Sequence, residues 1–295
     1  MARVIPAARA SAPVSPLPMK NVSSCLFSLA ALGAATALHG AVVSANFNDL
    51  ALGDPRGKQK NQQPADTGRG FGAPYWATDT GVPRIVAGDL AAPAATGYGL
   101  AQSGNPRSYQ APAYKLDDAT DRRQCRPLAQ KLTGTVWISF LVKNADANQA
   151  AGIDFNGRPQ IANSVVGTRI VVEGGTVRVF NAGNVKAGEA IDAVPLGQAA
   201  LILVRLDIGA APNGKNDKLQ LWVNPQLTAN PADLPKPAFA LGNTGFIGST
   251  LAIATLGLQS YDLRTGAGQV GGVLDAVTLA DGEGAYAAVT GLGTP

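Results

Sequence analysis

Thr135-Val-Trp-Ile-Ser-Phe-Leu-Val-Lys143 is the stretch from which the fold class follows. It is β-branched and aromatic almost throughout, and it is closed by residues that favour turns. Successive side chains of a strand point to opposite faces, so Val136, Ile138, Phe140 and Val142 share one face. Thr135, Trp137, Ser139 and Leu141 share the other. The first set is wholly apolar and belongs between two sheets. Leu201-Ile-Leu-Val-Arg-Leu-Asp-Ile208 and Leu219-Gln-Leu-Trp-Val-Asn-Pro225 repeat the pattern, with Leu219, Leu221 and Val223 on one face and Gln220, Trp222 and Asn224 on the other.

Working outward from these runs, strands are expected over 151–155, 168–173, 176–180, 200–208 and 218–223, joined by short turns. Asn213-Gly214 marks a hairpin-type reversal. A proline-rich connection, 225–237, leads to strands at 251–258 and 272–279. Upstream, only 44–48 and Ile85-Val86 read as strands. Residues 51–84 and 91–127 read as loops carrying Phe71, Tyr75, Trp76, Tyr98, Tyr109 and Tyr114. No helix of three turns and no repeat of fixed period is visible. The pattern predicts an all-β protein, a two-sheet antiparallel sandwich.

With 35 Gly and 20 Pro in 295 residues the chain turns often, and only 15% of its residues are charged. The formal charge of +4 misleads. Arg3, Arg9 and Lys20 lie in the first 41 residues, which hold no Asp or Glu; without them 21 basic groups face 20 acidic ones. The basic balance is therefore no argument for nucleic acid or anionic membranes.

From Met19 the chain runs Met-Lys-Asn-Val-Ser-Ser-Cys-Leu-Phe-Ser-Leu-Ala-Ala-Leu-Gly-Ala-Ala-Thr-Ala-Leu-His-Gly-Ala41. A short basic start, an apolar stretch and small residues at its end are the pattern of a secretory signal peptide. Cleavage is expected after Ala41 or Ala45, with Met19 as the true start. The apolar stretch is too short and too rich in Ala and Gly for a membrane span. Residues 1–41 are thus expected to be a leader and 42–295 a single exported domain of bacterial type, with no transmembrane segment.

The only histidine, His39, and one of two cysteines, Cys25, fall in the leader. The remainder lacks an imidazole for a Ser-His-Asp or Cys-His unit and lacks the His and Cys set of a usual zinc site. Cys125 stands between Arg122, Arg123 and Arg126, cations that lower a thiol pKa; the plainer reading is a loop cysteine. Glycoside hydrolysis needs two carboxylates. The domain has three glutamates, Glu173, Glu189 and Glu283; Glu173-Gly174-Gly175 reads as a hairpin tip with a solvated side chain. No acid/base pair is recognisable, so catalysis is not expected.

An aromatic ring beside amide groups can stack on a sugar while the amides bond its hydroxyls. On that ground Trp222, Trp137, Asn224 and Gln220 are the candidate ligand contacts. The other reading is that loops such as 51–84 fold over those faces and bury both tryptophans.

Thr135-Val-Trp-Ile-Ser-Phe-Leu141, Val204-Arg-Leu-Asp207, Leu219-Gln-Leu-Trp-Val-Asn-Pro225 and Leu274-Asp-Ala-Val-Thr-Leu279 together resemble the exported concanavalin A-like, laminin-G-like jelly-roll proteins of environmental bacteria. The resemblance spans roughly 45–290 and rests on strand-packing patterns. It implies a jelly-roll sandwich that binds glycans or proteins, often with calcium, and a minority of relatives that are hydrolases or lyases. Many relatives end in a sorting tail with a Pro-Glu-Pro motif, which this sequence lacks. Asp207 and Asp217, at the two ends of an Asp/Asn-rich turn, are the candidate calcium ligands, although their spacing is not that of an EF-hand and Lys215 lies between them. A hairpin loop without metal is the other reading. Asp49, Asp54 and Asp275 are a further carboxylate set that the pairing of first and last strands would bring together.

The function expected is a non-catalytic binding module for carbohydrate at the cell surface or in the surroundings. A structural or adhesive surface protein acting through protein contacts stands beside it, and a glycoside hydrolase or polysaccharide lyase of the same fold is the third reading.

Overall fold

The computed structural model describes residues 40–45, 47, 69–72, 84–100, 107–112, 123–156, 168–181, 185–209, 216–247, 251–264 and 270–292. Residues 1–39 of the expected leader, Asp49 and Asp54 lie outside them. The chain divides into Met1–Ala37 and Leu38–Pro295, and every element described belongs to the second unit.

In chain order the strands are β1 (Val42–Ala45), β2 (Arg84–Ala87), β3 (Arg107–Pro112), β4 (Arg123–Leu132), β5 (Thr135–Lys143), β6 (Gln149–Phe155) and β7 (Thr168–Glu173). There follow β8 (Thr176–Asn181), β9 (Val185–Ala190), β10 (Ala200–Asp207), β11 (Asp217–Val223), β12 (Phe239–Thr244), β13 (Ile253–Asp262) and β14 (Val270–Asp281). A short helix α1 (Ala285–Thr290) comes last. One sheet has eight strands in the order β12-β11-β10-β5-β14-β3-β2, with β1 on the second half of β14. The other has six, β4-β13-β6-β7-β8-β9. All pairings are antiparallel, and the fold is a two-sheet jelly-roll sandwich.

The core lies where the alternation puts it. Val136, Ile138, Phe140 and Val142 of β5 are fully buried, as are Ile202, Val204, Leu206, Leu219 and Leu221 on β10 and β11. They meet Ile153, Phe155, Ile170, Val172 and Val179 from the facing sheet. Each large side chain buried in this way contributes about 1.5–3 kcal/mol.

β5 is buried on its other face too, apart from its end residues. A second, smaller layer covers the outer side of the eight-stranded sheet, built from α1, residues 90–98 and residues 227–234. Its parts are tied to one another: Leu227 N donates to Thr96 O at 2.9 Å, Tyr286 Oη to Thr228 O at 3.0 Å and Gly99 N to Thr290 O at 2.9 Å. Ser139 Oγ, pointing outward from β5, donates to Val289 O at 2.6 Å and fastens α1 to the sheet.

The structure adds strands where loops were expected. β3 falls within 91–127 and β4 begins there, and β9 and β12 fall within stretches not read as strands. β4, β9 and β12 are sheet edges. An edge strand need not be apolar and tolerates proline, as Pro127 in β4 does, so the hydrophobic signal that marks a central strand is absent. No helix among the described residues is long and apolar enough to cross a membrane.

Candidate functional site

The residues expected to touch ligand lie on the outer face of the eight-stranded sheet, and most are built into the covering layer. Trp137 and Trp222 are 6% and 5% exposed. Their rings stack with centroids 6.0 Å apart and 23° between planes, and Tyr286 from α1 meets Trp137 edge-on at 4.9 Å. Trp222 Nε1 donates to Pro235 O at 2.7 Å. The two indoles do not form an open stacking platform: an interior of their own has closed over them. The cover comes from residues 90–98, 227–234 and α1.

Asn224 follows β11 with φ +47°, a left-handed conformation that Asn tolerates better than most residues. Its Oδ1 accepts from Leu201 N at 2.8 Å and its own N donates to Leu201 O at 2.9 Å. It clamps the strand end. Gln220 stays partly exposed on the next row, between Arg205 on β10 and Ala240 on β12.

Asp207 and Asp217 do not converge. Asp207 pairs across the ladder with Lys218, so its neighbour Asp217 points to the opposite face. Asp207, on the outer side, accepts from Arg205 Nε at 3.1 Å and Thr135 Oγ1 at 2.8 Å. Asp217 is fully buried and accepts from Gly209 N at 2.9 Å and Ile247 N at 2.7 Å. The expected calcium pair is thus split between the faces of one sheet, each carboxylate held by protein donors. Among the described residues no three His, Cys, Asp or Glu side chains gather as a metal-holding group.

Other carboxylates are also committed. Asp275, fully buried, accepts from Leu90 N at 2.9 Å and from Ala276 N at 2.7 Å. Glu173 is not a solvated tip: its side chain is 11% exposed, is paired with Arg178, and accepts from Tyr261 Oη at 2.5 Å. Cys125 is no loop residue either. It is a buried position on β4 whose Sγ lies 3.9 Å from Asp154 Oδ1.

Two grooves among the described residues lie at diagonally opposite corners of the outer face. The larger is a groove of 420 Å³ where β2, β3, β14 and the end of β5 meet the start of β6. Val86, Val270 and Val273 line it with apolar surface, and Asp89, Ser108, Gln110, Lys143 and Gln149 are its polar lining residues, Ser108 and Gln149 nearly buried. The row Gln110–Val273–Lys143 runs across three strands, which is why an amide and an ammonium flank one aliphatic side chain. Gln110 Nε2 donates to Gly271 O at 2.8 Å and Gln149 Nε2 to Val270 O at 3.1 Å, so both amides are held in place. Asp89 Oδ1 accepts from Arg107 N at 2.6 Å. Among the described residues Lys143 and Ser108 have no side-chain partner. Their alternation with buried Val142 and Tyr109 was legible in the chain for β5 but not for β3, which carried no strand signal.

The smaller groove, 340 Å³, is lined by Arg205, Asp207, Lys218 and Gln220 with Ala240 and Gly242. Two small residues on the edge strand leave the trough that the longer side chains border.

No family model matches the chain, and no curated relative matches it. Among solved structures it is similar to a carbohydrate-binding module of Bacillus subtilis (11% identity, TM-score 0.32, 70% of this chain and 93% of that one). It is similar to peanut lectin in complex with a nine-residue peptide (10%, 0.37, 81% and 97%). It is also similar to botulinum neurotoxin type C, whose cell entry depends on two ganglioside molecules (11%, 0.39, 84% and 52%); the chain spans about half the length of that structure.

Proposed function

We propose that the protein is an exported, non-catalytic binding module whose ligand is carbohydrate. The observation that carries this reading is the 420 Å³ groove: an apolar lining of three valines with a carboxylate, a hydroxyl, two fixed amides and an ammonium around it. Small-ligand sites are concave and mostly apolar with a few oriented polar groups, and this lining suits hydroxyls above a hydrocarbon face. Asp89 is the single carboxylate among the described lining residues, where glycoside hydrolysis by its usual route needs two. The leader sequence supports export. Of the residues first considered, Gln220 and Asp207 line the smaller groove.

A glycan array on the full chain, run with calcium and with chelator, tests the reading. Selective signal that Lys143→Ala and Asp89→Ala each reduce about tenfold, the size of one charge-assisted bond, is the expected result. Signal lost in chelator would add a metal. A blank array from folded protein would favour the second reading, a protein-contacting surface. One feature supports that alternative: the edge strand β9 begins at Val185 and is followed by Ile191, 60% and 69% exposed. Exposed apolar edges are templates for pairing with another chain.

A further inference from the structure

We infer that the smaller groove is a separate subsite for an oxyanion carried on a saccharide chain, a carboxylate or a sulfate. The inference rests on the carbohydrate reading for the carrier but not on the larger groove. The smaller groove is crossed by one cross-strand row, Arg205–Gln220–Ala240, and the next row sets Lys218 beside Asp207. Directly opposed side chains in such rows have Cβ atoms about 5 Å apart, so Arg205, Gln220 and Lys218 border one trough.

The charges are uneven. Two cations face one carboxylate, that of Asp207, whose Oδ1 takes both the Arg205 Nε bond and the Thr135 Oγ1 bond. Arg205 Nε is used there, while its two terminal nitrogens make no bond to protein among the described residues. They form the fork that binds a planar oxyanion in bidentate fashion. Its guanidinium carbon lies 5.9 Å from the Trp137 ring centroid, a contact that limits where the fork can swing. Lys218 is exposed and without a side-chain partner among the described residues, and the Gln220 amide is likewise uncommitted. A fork, an exposed ammonium and an amide around a trough bordered by Ala240 and Gly242 suit an oxyanion flanked by hydroxyls. The larger groove balances Lys143 against Asp89 and suits a neutral sugar.

Affinity electrophoresis of the full chain through polygalacturonate, dextran sulfate and neutral dextran separates the cases, the first two arms distinguishing carboxylate from sulfate. Wild type should be retarded by at least one polyanion and not by dextran. Lys218→Gln and Gln220→Ala should each weaken that retardation, Lys218→Gln by about tenfold. Lys131→Gln is the control: it removes the same charge from an exposed position on β4, in the other sheet, and should change little. Arg205→Lys keeps the charge but not the fork and should weaken carboxylate binding more than sulfate binding. Melting curves of each variant exclude unfolding as the cause. No retardation, an equal loss in Lys131→Gln, or a loss confined to Lys143→Ala would overturn the inference. The last outcome would leave the larger groove, and with it the carbohydrate reading, standing.

Discussion

Trp137 and Trp222, on strands separated by β10, stack at 6.0 Å beneath Tyr286, and Trp222 Nε1 is spent on Pro235 O. The pair is the centre of the second core. Trp222→Ala is therefore expected to lower stability by about 3–5 kcal/mol, the usual cost of emptying a buried large aromatic site. Trp222→Phe should cost less, keeping most of the packing but orphaning Pro235 O. Urea unfolding followed by circular dichroism measures both. A Trp222→Ala protein as stable as wild type would show that the indole is not a core residue.

How this face is covered was beyond the sequence for a physical reason. Alternation states which side chains share a face of a strand, and it did so correctly for Val136 to Val142 and for Leu219 to Val223. It does not state what lies over that face. α1 has six residues between Gly284 and Gly291, too short for helical periodicity to register. The segment 227–234 has no strand pattern at all. Trp137 read from its strand alone is thus equally a platform or a core residue.

The same limit split Asp207 from Asp217. Their shared turn made them neighbours in sequence, but antiparallel pairing set Asp207 opposite Lys218 and turned Asp217 inward. Asp217 instead acts as an acceptor for two backbone donors, Gly209 N and Ile247 N. Asp217→Ala would remove an acceptor from both, at about 1–3 kcal/mol for the buried Ile247 N and less for the half-buried Gly209 N. Asp217→Asn, which keeps one acceptor, should lose roughly half as much. Chemical denaturation of the two variants reads the difference, and a neutral Asp217→Ala would remove this role.

Asp262 and Arg264 give a stability dependence on acid. Burial pushes the Asp262 carboxyl upward, but the side-chain and backbone bonds from Arg264, with its charge, outweigh that, and the net result is a carboxyl below the usual range. Arg264 reaches it twice, Nε at 2.9 Å and Nη2 at 2.6 Å. A group with a depressed folded pKa contributes stability above its unfolded value, and that contribution disappears as pH falls through the folded one. The melting temperature should therefore drop below about pH 4, the ordinary range for Asp. Arg264→Ala should lower it at neutral pH and flatten that acid limb. An acid limb unchanged in Arg264→Ala would assign the loss to other carboxylates.

At the alkaline end Tyr98 is one of the sensitive groups. Its hydroxyl lies 3.2 Å from Ser139 Oγ beneath the covering layer, and burial pushes its pKa up to about 12, the Ser139 bond opposing. The charged form is the one disfavoured inside, so the stabilisation is complete below the unfolded value near pH 10. It is lost as pH rises from there through about 12. Tyr98→Phe removes the titrating group, and its stability should fall less steeply than that of wild type between pH 10 and 12. Ultraviolet titration of phenolate formation gives the second measurement: one tyrosine fewer should ionise near pH 12 in the variant. Identical alkaline limbs and identical titrations in the two proteins would refute the assignment to Tyr98.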